Sequence, residues 1–207
     1  MSEMDFNELE GVTRPKTQRG EVTFQKLLEA AEAVFGEKGY YETSIVDIIQ
    51  RAGVAQGTFY LYFKTKKDIF RQLVVHLHHE VRKTIQEAVQ GVANRLAAET
   101  TGLRAYHNFL LEHRNLYRLV RELEFVDEDL FKWYYQSFAN NYARRLSQAM
   151  EKGDIRKMDP EALAYSLIGL NVFIGMRWPL WENRPAPTIA VETIVDFITR
   201  GLGTETK

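Results

Sequence analysis

Between Thr43 and Phe70 the chain gathers side chains suited to reading a polyanion and its bases: Gln56, Thr58, Tyr60 and Tyr62, then Lys64, Lys66 and Lys67. A glutamine amide pairs bidentately with adenine, a threonine meets a phosphate oxygen or a thymine methyl, and a tyrosine hydroxyl reaches backbone oxygens. Lysines placed directly afterwards lie where phosphates would be. The bland alternative for Tyr60 and Tyr62 is an amphipathic position at a core margin.

Two short helices have to carry these groups. Ile45, Ile48 and Ile49 recur at helical spacing after Thr43, a residue able to cap a helix start by accepting a backbone N–H bond. Gly53 stops that helix, because glycine reaches a left-handed backbone without steric cost, and Val54, Phe59 and Phe63 begin a second apolar series. Two helices joined by a tight glycine turn form the helix-turn-helix arrangement, whose second helix enters the major groove. With Val54, Phe59 and Phe63 facing the core, Gln56, Thr58, Tyr60 and Tyr62 spread over the remaining surface. Helical hairpins with a glycine corner are common, so it is these outward groups that weigh toward DNA.

The run Ala52 to Phe63, followed by Lys66-Lys67-Asp68 and preceded by Leu27-Leu28-Glu29-Ala30-Ala31, Phe35 and Gly39-Tyr40, resembles the TetR-type transcriptional repressors. The resemblance covers roughly residues 20 to 72 and departs from the family pattern at two places. Ala55 stands where serine is usual, and Ile49 stands where a small alanine is usual. Carried over residue by residue, it implies DNA contacts for Thr43, Gln56, Gly57, Thr58, Tyr60, Tyr62 and Lys66. It also implies a homodimer on a palindromic double-stranded operator, and a C-terminal domain that senses a small molecule.

Composition is compatible with this. A chain of 207 residues, 45% hydrophobic, can bury a full core. It has no cysteine, which excludes disulfides and thiolate metal sites. No apolar run approaches the roughly 20 residues that span a bilayer, and the polar, acidic N-terminus is unlike a secretion signal, so no membrane partner and a cytoplasmic location are expected. The net charge is −1, but residues 14 to 67 carry +3 while residues 68 to 207 balance.

No strand-like alternation occurs, so an all-α protein is expected: a three-helix DNA-binding head over residues 21 to 67 and a helical ligand-binding and dimerisation bundle over 68 to 207. Residues 1 to 20 read as a disordered arm ending in basic residues. The first helix is expected over about 23 to 38 and a long one over about 66 to 90. Farther on, Phe131, Tyr135, Phe138 and Tyr142 step by four, three and four residues along one helix face. Core packing explains such a stripe; a cavity wall is the alternative, supported by Tyr106, Phe109 and Tyr117 nearby. These seven aromatics are the candidate ligand-binding residues. In the last two helices, Leu163, Leu167, Leu170 and Ile174, and Val191, Ile194, Val195 and Ile198, form apolar faces too extensive to stand exposed. By the resemblance they supply the dimer interface.

Other chemistry is set aside. His76, His78, His79 and Glu80 contain metal-ligand spacings, but a packed or solvated run is the preferred reading, and neither metal nor cofactor is expected. No nucleophile elbow, phosphate loop or HExxH motif is present, so the chain is not expected to be an enzyme. Arg114, Arg118 and Arg121 share a helix face, read as solvated, with a phosphate-bearing ligand as the alternative. The preferred function is a repressor released by a small hydrophobic effector. By analogy with the family the effector is a long-chain acyl-coenzyme A, an aromatic compound or a lipophilic drug. The alternatives are an effector-independent structural DNA-binding protein and, ranked last, a helical enzyme acting on small molecules.

Overall fold

The computed structural model describes residues 9–92 and 94–203. Within them the chain is all helical: α1 Gln18–Lys38, α2 Ile45–Ala52, α3 Gln56–Tyr62, α4 Lys66–Val89, α5 Arg95–Glu112, α6 Arg114–Val126, α7 Glu128–Lys152, α8 Pro160–Gly175 and α9 Thr188–Leu202. A π-helical turn, Met176–Leu180, extends α8 through Pro179.

The helices divide into two compact units, and the division differs from the expected boundary at residue 67. One unit holds the chain up to His79 together with Asn115–Lys132; the other holds Glu80–Arg114 and the chain from Trp133 onward. α4 therefore contributes to both. α6, expected in the ligand bundle, folds with the head.

The head's core is aromatic. Phe24 stacks on Phe63, Phe35 meets Phe70 edge-on, and Ile48 and Phe59 are fully buried. α6 is fastened to α1 by polar contacts. Arg118 donates to the carbonyls of Gly36 and Glu37, at 2.9 and 3.1 Å, and Glu122 accepts from the Tyr40 N–H. A Cβ at Gly36 would lie 2.0 Å from Asn115 Cγ, so glycine there is what permits the close approach of the α6 start. Arg118 thus satisfies the last carbonyls of α1, in place of the solvated or ligand-facing role its spacing suggested.

The N-terminal arm is also a correction. Thr13 N–H donates to the Tyr62 carbonyl at 2.8 Å, Lys64 N–H donates to Gly11 O at 3.1 Å, and Val12 bridges to Phe63. Leu9 is buried, and α1 begins at Gln18 with Thr17 as its cap. Residues 9 to 17 are docked on the end of α3 where disorder was expected; residues 1 to 8 lie outside the described residues.

In the second unit α5 packs against α8, the π-turn and α9. Leu103, Leu146, Leu167, Val191, Ile194, Ile198 and Leu202 close one core, with Leu163, Leu170, Ile174 and Val195 packed against it. Of the eight residues expected at a subunit interface, Leu167, Val191, Ile194 and Ile198 are thus buried in their own chain, while Leu163, Leu170, Ile174 and Val195 are only partly buried against that core. What α8 and α9 leave exposed is different: Tyr165 and Phe173 on α8, Ile189 and Phe197 on α9.

Candidate nucleic-acid interface and effector cavity

The turn between α2 and α3 follows from its residues. Ser44, rather than Thr43, caps α2: its hydroxyl accepts from Asp47 N–H, and the Asp47 carboxylate accepts from Ser44 N–H, a reciprocal capping box. Lys38 lies 2.5 Å from Asp47, and with Ser44 it holds that carboxyl well below the ordinary range. Gly53 is left-handed (φ 66°, ψ 37°), and its N–H returns to Gln50 O. α3 then starts at Gln56 with no side-chain cap, the consequence of Ala55 in place of a hydroxyl residue.

On α3, Phe59 is buried and Gln56, Gly57 and Tyr60 are exposed, with Thr58 and Tyr62 half-buried. Tyr62 meets Phe24 edge-on. A Cβ at Gly57 would meet nothing within 4 Å, so among the described residues nothing crowds this end of α3. Thr43 and Lys66 do not join this surface. Thr43 is buried, and its hydroxyl donates to Gly39 O at 2.6 Å, closing the turn from α1 to α2. Lys66 Nζ donates to the carbonyls of Tyr40 and Thr43, both at 2.8 Å, and stands over the Tyr40 ring. Both are internal ties, and sequence reasoning missed this because the carbonyls they serve lie more than a turn away along the chain.

The second unit contains a partly open cavity of about 190 Å³ whose walls come from α4, α5, α7 and α8. Tyr106, Tyr135, Phe138 and Tyr142 line it, together with Ile85, Val89, Tyr134, Ile168 and Val172, which the aromatic pattern did not single out. Phe109, Tyr117 and Phe131 are not among the lining residues: Phe109 is buried and stacked on His113, while Tyr117 and Phe131 belong to the head unit. Glu99 and Arg95 form an ion pair in the wall, and Tyr142 donates its hydroxyl to Glu99. Burial, with the Glu99 carboxylate adjacent, pushes the Tyr142 hydroxyl pKa well above its ordinary value.

His107, on α5, is buried and donates Nε2–H to the Asn171 carbonyl at 3.2 Å. Desolvation lowers its pKa, outweighing the bond to Asn171. The unfolded chain, with an imidazole pKa of about 6.5, then takes up the proton first as pH falls. Stability should therefore be fully present above about pH 6.5 and decline below it. Thermal unfolding from pH 8 to pH 5.5 checks this: His107→Gln should flatten the decline, and an unchanged slope would assign it to other groups.

Among the described residues no three His, Cys, Asp or Glu side chains come together as metal ligands, and no helix is long and apolar enough to cross a membrane. The arrangement is a helix-turn-helix head with polar groups outward on α3, attached to an all-helical unit containing an aromatic-walled cavity. Residues 27–73 match the bacterial regulatory proteins of the tetR family. The chain is 27% identical to the HTH-type transcriptional regulator YvdT of Bacillus subtilis over 202 residues, which cover 92% of this chain and 99% of that protein. It is 25% identical to the fatty acid metabolism regulator protein of the same organism, over 70% of this chain and 77% of that one. The crystal structure of the regulator FadR from Bacillus subtilis, in complex with stearoyl-CoA, superposes with a TM-score of 0.74 at 20% identity, covering 86% of this chain and 98% of that one, a likeness of fold. Residues 27–73 thus match the DNA-binding domain of the tetR family, and along most of its length the chain is similar to TetR-type transcriptional regulators.

Proposed function

We propose that the protein is a cytoplasmic repressor that binds an inverted-repeat operator as a homodimer and is released by a small hydrophobic effector seated in the cavity of its second unit. The observation that carries this reading is the course of α4. At its start Lys66 is tied to the Tyr40 and Thr43 carbonyls of the head; toward its end Ile85, Gln86 and Val89 line the cavity. An occupant that presses on the end of α4 acts on the helix that holds the head. Such a ligand releases DNA only if it prefers the non-binding conformation, and moving a 1:99 population to 99:1 takes about 5.5 kcal/mol of differential affinity.

Base reading falls to Gln56, exposed at the first position of α3, with Gly57, Thr58, Tyr60 and Tyr62 on or beside the phosphates. Footprinting should reveal half-sites about one helical turn apart, roughly 34–36 Å between centres. Gln56→Ala should cost on the order of 1–3 kcal/mol on the operator and relax its sequence preference. Equal losses on operator and random DNA would take Gln56 out of base reading. Uniform protection of random DNA by the parent would favour a structural DNA-binding protein instead.

A further inference from the structure

The cavity carries an excess of positive charge. Three arginines line it, and they are not equivalent. Arg95 is neutralised by its ion pair with Glu99 and lies over the Tyr142 ring. Among the described residues Arg82 from α4 and Arg145 from α7 have no carboxylate within ion-pair distance, and neither has Arg144 beside them, whose guanidinium donates to the Asn141 amide oxygen. Desolvation, followed by the like charges of Arg145 and Arg144, lowers the pKa of Arg82. Guanidinium groups gathered without a counter-charge are held together at a cost that a bound anion removes, and their planar fork matches carboxylate and phosphate oxygens. Ile85, Val89, Leu103, Phe138, Ile168 and Val172 give the wall an apolar stretch, and its other polar side chains, among them Gln86, Asn141 and Asn171, are uncharged apart from Glu99.

We propose that the effector is an amphipathic organic anion, its carboxylate or phosphate held by Arg82 and Arg145 and its apolar body laid against Ile85, Phe138, Ile168 and Val172. This rests on the reading of the cavity as the effector site. It also relocates the basic group sought at Arg114, Arg118 and Arg121: Arg114 donates to the Leu180 carbonyl, and Arg118 is engaged with α1.

The test is calorimetric titration of the full chain with decanoate, palmitate and palmitoyl-CoA, beside the neutral decanol and hexadecanol, with operator release followed in parallel. At least one anion should bind about tenfold or more tightly than the alcohol of equal chain length, and Arg82→Gln/Arg145→Gln should remove that difference. Neither arginine has an acidic partner among the described residues, so the variant should stay folded; its melting curve checks this. Preference for palmitate identifies a carboxylate head, and preference for palmitoyl-CoA a phosphate-bearing one. Alcohols that bind and release DNA as well as the acids, or anion binding unchanged in the double variant, overturn the anionic head and leave effector control standing. Ile168→Trp, which fills the apolar end, should weaken every probe. If it weakens none, or if no probe binds the parent, the cavity is not the site for this class, and the effector reading falls with the inference.

Discussion

Glutamate placed at both Phe173 and Phe197 is expected to give a folded monomer that no longer holds its operator, whereas glutamate at Ile194 is expected to unfold the second unit. The contrast follows from burial. Phe173 and Phe197 are 68% and 69% exposed in the single chain, while Ile194 is 7% exposed and packed in the core with Leu146, Leu167 and Ile198. A carboxylate on an exposed face is solvated in the monomer and costs the fold little. In an interface between two copies it is unpaired and dehydrated, at a cost of several kcal/mol. Without the dimer each head binds alone, and operator affinity should fall by about 10²–10⁴ as the effective concentration of the second head is lost. Sedimentation, thermal melting and gel-shift titration read the three effects separately. A Phe173/Phe197 variant that sediments as a dimer would move the interface off this face. An Ile194→Glu variant that remains folded but monomeric would restore the interface that hydrophobic patterning suggests.

Lys66→Met should lower stability and operator affinity together without changing how affinity depends on salt. The ammonium donates to the Tyr40 and Thr43 carbonyls at 2.8 Å and to the Tyr41 carbonyl at 3.3 Å, so its loss leaves partly buried acceptors unpaired at the joint between α1 and α2. Charge-assisted hydrogen bonds of this kind are worth on the order of 1.5–3 kcal/mol, and the joint they fix sets the position of α2 against α1. A lysine contacting phosphate behaves differently: its removal flattens the plot of log affinity against log salt by about one unit. A melting temperature equal to that of the parent, with a flatter salt slope, would return Lys66 to the DNA surface.

Local pattern was a sufficient guide to much of the molecule. The all-helical class, the α2–Gly53–α3 turn and the outward placement of Gln56, Gly57 and Tyr60 depend on interactions within a few residues, which spacing and backbone preference encode directly. The extent of α4, Lys66–Val89, was likewise visible in its apolar periodicity.

Tertiary structure decided what spacing could not. Periodicity shows that α8 and α9 are apolar on more than one side but not which side meets the chain's own core. The fold spends Leu167, Val191 and Ile194 internally and leaves Phe173, Ile189 and Phe197 outside. The aromatic stripe of α7 identified Tyr135, Phe138 and Tyr142 as candidates. Only the packing of four helices separated the lining residues from Phe109, which is packed on His113, and Phe131, which lies in the other unit. Thr43 and Lys66 carry side chains that suit DNA, yet the acceptors they serve are backbone carbonyls, which every residue possesses and no pattern of residue types reveals. The unbalanced charge at Arg82 and Arg145 is of the same kind: residues from separate helices become neighbours only when a cavity forms between them, and a sum of charges along the chain averages them away.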